Sequence, residues 1–132
     1  MVFEPAAAPS SDRAAFMRWY EQQTEWPESH GYGDPNVSSP SLRAWFSDMS
    51  SDYPPVNPPS SHGNPDNPRV TDYTIGRVMI YAAFAWSEMN PVIQRTFLAA
   101  QRHKVGFFHV SAPGQDIWLP NPKTGRLKTA FR

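Results

Sequence analysis

The sequence predicts an α+β fold: a four- to five-stranded, mostly antiparallel sheet with about three helices packed on one face. Three observations predict it. The run Asp72–Ser87 reads as a buried strand that passes at once into a helix start. Leu42, Trp45, Phe46 and Met49 fall at i, i+3, i+4 and i+7, the amphipathic stripe of a helix. The apolar segments follow the order strand, helix, helix, strand, strand, helix, strand, strand, which does not alternate as a parallel α/β chain would.

Each element has its own local cause. Residues 2–4 can form a very short strand, limited by Pro5 and Pro9. Ser10 or Ser11 can cap a helix to about Thr24, with Phe16, Trp19 and Tyr20 on its apolar side. Glu25-Trp26-Pro27 ends it, because the residue before proline is pushed out of the helical region. The Gly31–Pro35 segment is turn chemistry. Ser39 caps the second helix and Pro40 takes its first position. Residues 53–70 hold six prolines and form a long loop, parts of which suit polyproline geometry.

Residues 71–75 alternate weakly as a strand, and Gly76 marks a turn or bulge. Residues 77–85 are apolar on both faces, as a central strand would be. Ser87, or Asn90 followed by Pro91, starts a helix to about Lys104, with Ile93, Phe97 and Ala100 inward and Arg95 and Arg102 outward. Arg102, His103 and Lys104 suit the negative end of its dipole. Residues 105–119 read as a hairpin turned at Pro113-Gly114. Residues 1–120 are thus a single domain, and the basic stretch 121–132 is expected to be a flexible tail.

Composition narrows the function. The chain has no cysteine, which excludes disulfides and thiolate metal sites. It has no signal-peptide pattern near Met1 and no apolar run of membrane-spanning length, so a cytoplasmic protein without a membrane partner is expected. The formal charge is zero but uneven. Residues 1–76 carry four bases and ten acids, or −6; residues 77–132 carry eight bases and two acids, or +6. An acidic face can steer a basic partner; the plainer account is a solvated surface.

Phosphate-binding glycine loops, the His-Glu-x-x-His zinc motif and the Gly-x-Ser-x-Gly elbow are all absent from the sequence. His30, Asp34, His62 and Asp66 could hold a metal if their two loops met, but the same residues are ordinary turn formers. Glu25 and Glu28 beside Trp26 could form an acid–base pair, although two exposed acids are the usual outcome. Alternation places His109 on the face of Phe107, as a core or edge histidine rather than a base. Four charges in the tail, without interleaved aromatics, do not make a nucleic-acid site. Trp26, Tyr32, Tyr53 and Trp118, at element ends or in loops, are candidate contact aromatics or plugs of a small core.

Five segments carry a resemblance: Trp19-Tyr20-x-x-Gln23-Thr24-Glu25-Trp26, Leu42–Phe46, Asp72–Gly76, Ile80–Ser87 and Val105-Gly106-Phe107-Phe108-x-Val110-Ser111. Together they resemble a family of small bacterial proteins that look like immunity proteins of secreted antibacterial toxins, type VI effectors among them. The resemblance spans about residues 16–119 and its motifs are structural. It implies a cytoplasmic, non-catalytic protein without cofactor that binds a cognate toxin and occludes its active site. The expected contacts are Glu25, Trp26, Glu28, Tyr32, Asp34, Asp48 and Asp52. A small metal-dependent hydrolase using the loop His and Asp residues stands as the alternative. A third reading is an adaptor whose Pro55-Val56-Asn57-Pro58 segment is itself the ligand.

Overall fold

Glu4-Pro5 cuts the first strand short, so β1 is only Val2–Phe3. A computed structural model of the chain describes residues 1–9, 12–25, 34–55 and 68–130. The remaining elements are α1 (Arg13–Thr24), α2 (Pro40–Ser50), β2 (Asp72–Ile75), β3 (Met79–Ala83), α3 (Met89–His103), β4 (Gly106–Phe108), β5 (Ile117–Pro120) and β6 (Leu127–Thr129). The strands form one sheet in the order β2-β3-β1-β4-β5-β6, with antiparallel neighbours throughout.

The α+β class is as expected, with six strands among the described residues instead of four or five. The sixth, β6, lies within the stretch expected to be a flexible tail. It folds back because Asn121 builds a turn: its Oδ1 accepts from the Lys123 and Thr124 backbone N–H groups at 2.8 and 3.1 Å. Gly125 closes the turn with φ +79°, where a side chain would also strike the Gln101 carbonyl. Leu127 is then buried in the core, and its N–H donates to Gln101 Oε1 at 3.1 Å.

The helices occupy both faces of the sheet, not one. Successive residues of each central strand point to opposite sides. Val2, Ile80 and Phe107 pack with Leu42, Trp45 and Met49 of α2 and Val92, Ala99 and Ala100 of α3. Phe3, Met79 and Phe108 pack instead with Phe16 of α1. Phe16 meets Phe3 and Phe108 edge-on at 5.2 and 5.4 Å between ring centres. Strands apolar on both faces need cover on both faces, and α1 supplies the second layer.

The caps follow local chemistry. Asp12, one residue beyond the expected serines, caps α1 by accepting from Ala15 N–H at 2.7 Å. Ser39 and Pro40 open α2 as expected. Ser39 also donates its hydroxyl to Glu4 Oε2 at 2.7 Å, tying α2 to the end of β1. A short 3-10 turn over Trp86–Glu88 leads into α3, so the helix starts at Met89 and leaves Pro91 within its first turn. α3 ends at Lys104, which takes the left-handed conformation at φ 56°.

Candidate functional site

The described acidic residues of the first half do not form one patch. Asp48 and Asp52 project from the end of α2 toward α3, where their charge is matched within the molecule. Asp48 accepts from Arg95 at 2.8 Å, Arg102 at 3.0 Å and His103 Nε2 at 2.9 Å; Asp52 accepts from Arg95 Nε at 2.8 Å. Burial pushes the Asp48 carboxyl up, but hydrogen bonds from Arg95 and His103 and the charges of Arg95 and Arg102 outweigh it and hold it below its ordinary value. Part of the −6/+6 asymmetry is therefore a clamp between α2 and α3.

Glu25 and Asp34 are exposed. Glu25 follows the last turn of α1, on the other layer from Asp48 and Asp52. Asp34 accepts from Asn36 N–H at 2.9 Å and caps the short 3-10 turn Pro35–Val37. Trp26, Glu28 and Tyr32 lie outside the described residues, as do His30, His62, Asp66 and residues 56–67 of the proline-rich loop. Among the described residues no group of three or more His, Asp or Glu is placed to hold a metal ion. Tyr53 is a core residue whose carbonyl accepts from the Tyr73 hydroxyl at 2.8 Å. Trp118 is half-buried against Phe97, ring centres 5.2 Å apart. His109 stacks on Phe107 at 5.7 Å, on the face that alternation assigns it.

Two features stand out that the sequence pattern did not mark. The first is a pair of exposed apolar side chains: Trp86 is 78% and Leu98 54% exposed. A shallow surface depression along α3 links Leu98 with Asn90, Ile93, Gln94 and Phe97. Ile93 and Phe97 also pack partly against the core beside buried Ala100, the inward side expected of them, so Leu98 is the residue the spacing left unread.

The second is a break at the centre of the sheet. β1 sits between β3 and β4, which run parallel to each other and continue past it. Val2 lies opposite Ile80 and Phe107. Met1 still pairs with Phe108, its N donating to the Phe108 carbonyl at 2.9 Å and its carbonyl accepting from Phe108 N–H at 2.8 Å. Beyond Met1, Ala82–Phe84 and His109–Ser111 flank a slot with no described strand between them, the site of a cavity of about 280 Å³. Glu4 N–H donates to Val78 O at 2.8 Å, so the antiparallel alternation turns the Ala82 N–H and C=O into this slot. Helices α2 and α3 line it with Trp45, Ile93 and Thr96, and Trp86 stands at its open rim. Trp45 Nε1 and Thr96 Oγ1 are buried without a hydrogen-bond partner among the described residues.

Among the described residues no helix is long and apolar enough to cross a membrane. No protein-family model matches the sequence, and no curated protein or solved structure matches it.

Proposed function

We propose that this chain is a non-catalytic immunity protein of the cytoplasm, which binds a secreted antibacterial toxin and occludes its active site. The observation that carries the reading is the exposed Trp86, with Leu98 further along the same helical segment. Tryptophan is favoured as an anchor where two proteins meet. The resemblance of residues 16–119 supplies the class of partner. Exposed Glu25 and Asp34 supply negative charge that speeds encounter with a basic toxin surface. Asp48 and Asp52 support α2 and α3 from within, so Glu25, Asp34 and the sequence neighbours Trp26, Glu28 and Tyr32 remain the acidic and aromatic contacts of this proposal.

The test is protection of bacteria that express the toxin encoded beside this chain. Growth is expected to return when the two are co-expressed, with a 1:1 complex on purification. Trp86→Ala is expected to weaken the complex about thirtyfold, as an anchor worth about 2 kcal/mol would. Charge reversal of Glu25, Glu28 and Asp34 to lysine is expected to slow association and abolish protection. Full protection by the triple variant would remove the acidic contacts from the proposal. Absence of any complex with a neighbouring toxin would remove the immunity function itself.

A further inference from the structure

We propose that the outer face of α3 is a contact between two copies of this chain, packed antiparallel about a two-fold axis at Gln94. Asn90, Gln94, Leu98 and Arg102 form one i, i+4 row along the helix, and all four are exposed. A two-fold axis exchanges positions equally spaced about it. Asn90 and Leu98 lie one such step to either side of Gln94, so Leu98 of one copy faces Asn90 of the other. Asn90, Ile93, Gln94 and Phe97 line the shallow depression beside Leu98, and each exposed leucine enters the depression of the facing helix. Two steps out, Arg102 of one copy reaches the head of the other helix, where the exposed Trp86 stands. Asp48 holds one Arg102 nitrogen at 3.0 Å while 65% of that side chain remains exposed. A guanidinium over an indole face is attracted by the ring.

Charge selects both the occupant and its direction. No acid lies between Met89 and Gln115. The acids bordering α3 are matched within the molecule, Asp48 and Asp52 by Arg95, Arg102 and His103, and Glu88 by Arg69. The row itself carries one charge, that of Arg102. Parallel pairing would set the two Arg102 side chains against each other. Antiparallel pairing holds them about 24 Å apart at 1.5 Å per residue, beyond the roughly 8 Å screening length of physiological salt. It also gives each cation a tryptophan in place of a second cation. The formal net charge of zero leaves no long-range repulsion between copies.

This association stands whether or not a toxin is the other partner. Trp86 is covered in the pair, so a toxin anchored on it competes with the second copy and leaves a 1:1 complex. A single helix face is a small interface, below the roughly 1,200 Å² of standard complexes, and the pairing is weak and reversible.

The test is sedimentation velocity over a dilution series. The mass is expected to climb from one chain toward two between about 10 µM and 1 mM, the range of a weak interface. Gln94→Lys sets like charges opposite each other at the axis and is expected to weaken the pair at least tenfold. Trp86→Ala is expected to weaken it about thirtyfold. Both positions are exposed, and far-UV circular dichroism checks that the variants fold. The chain has no cysteine, so Gln94→Cys introduces a single thiol facing its own copy. Helices in contact at that point bring the two sulfurs within bridging reach. Diamide is expected to crosslink it about tenfold faster than Ser111→Cys, an exposed position off this face. A single-chain mass at about 1 mM overturns the proposal. So does a dimer that Gln94→Lys leaves unweakened, or a Gln94→Cys crosslink no faster than that of Ser111→Cys.

Discussion

Gly106→Ala is expected to cost about 3 kcal/mol of stability, at the upper end of what an overpacked core methyl does. The reason is one contact. Gly106 pairs with Phe3 across β1 and β4, and a methyl group built on it would run into the Phe3 ring. Phe3 cannot give way, because Phe16 and Trp19 meet it edge-on at 5.2 and 5.8 Å. Urea denaturation measures the loss, and a double-mutant cycle identifies its cause. Phe3→Ala alone is expected to cost about 4 kcal/mol through the cavity it leaves. Adding Gly106→Ala to that background should cost less than about 1 kcal/mol, since the collision is gone and the methyl fills part of the void. Additive losses would show that the glycine is required for some reason other than the ring above it.

Asp48→Ala is expected to cost about 2 kcal/mol, between the value of an exposed pair and that of a fully buried one. Asp48 is largely shielded and joins three bases of α3 to α2. Its removal leaves the half-buried Arg95 and His103 without their common acceptor. The pH dependence has a defined sign. The carboxyl is held below its ordinary value in the folded state. The stability it contributes is therefore complete above the unfolded aspartate pKa of roughly 4, and is lost as pH falls through the lower folded value. Asp48→Asn should accordingly differ most from the parent at pH 7, and the gap should shrink toward pH 3. A gap that stays constant with pH would mean the charge of Asp48 contributes nothing to folding. The result also bears on partner binding: charge reversal at Asp48 or Asp52 tests the α2–α3 clamp before it tests any interface.

Where one residue's chemistry sets the outcome, the sequence was readable. Ser39-Pro40 announced α2, and its stripe announced which side is buried: Leu42, Trp45 and Met49 are all in the core. Apolar residues on both sides of residues 77–85 marked a central strand, and β3 is one. The same observation also demanded cover on both sides, yet three helices were expected on one. α1 resolves it, and its weak stripe gave no hint of which face it would choose. β6 was missed because three residues with a single aliphatic side chain do not make a pattern; it is set by the Asn121 turn and by the space left for Leu127. The clamp was missed for another reason. Asp48 and Arg102 are 54 positions apart, and only the packing of α2 on α3 brings them together. The cavity is less legible still, since its lining comes from distant stretches of the chain, among them Trp45, Phe84, Ile93 and His109.

That short central strand also sets an order of events. Residues 2 and 3 occupy the middle of the sheet, and Met1 meets Phe108 across 107 positions of chain. Hairpin β2–β3 and the β4–β5 pair can each form locally. Joining them requires β1, whose pairing on the β4 side closes nearly the whole chain into one loop. On the ribosome, Phe16, Trp19, Leu42 and Trp45 emerge long before the strands that cover them. Folding of the complete sheet is thus a late, non-local and comparatively slow step, with the apolar faces of α1 and α2 uncovered until it occurs.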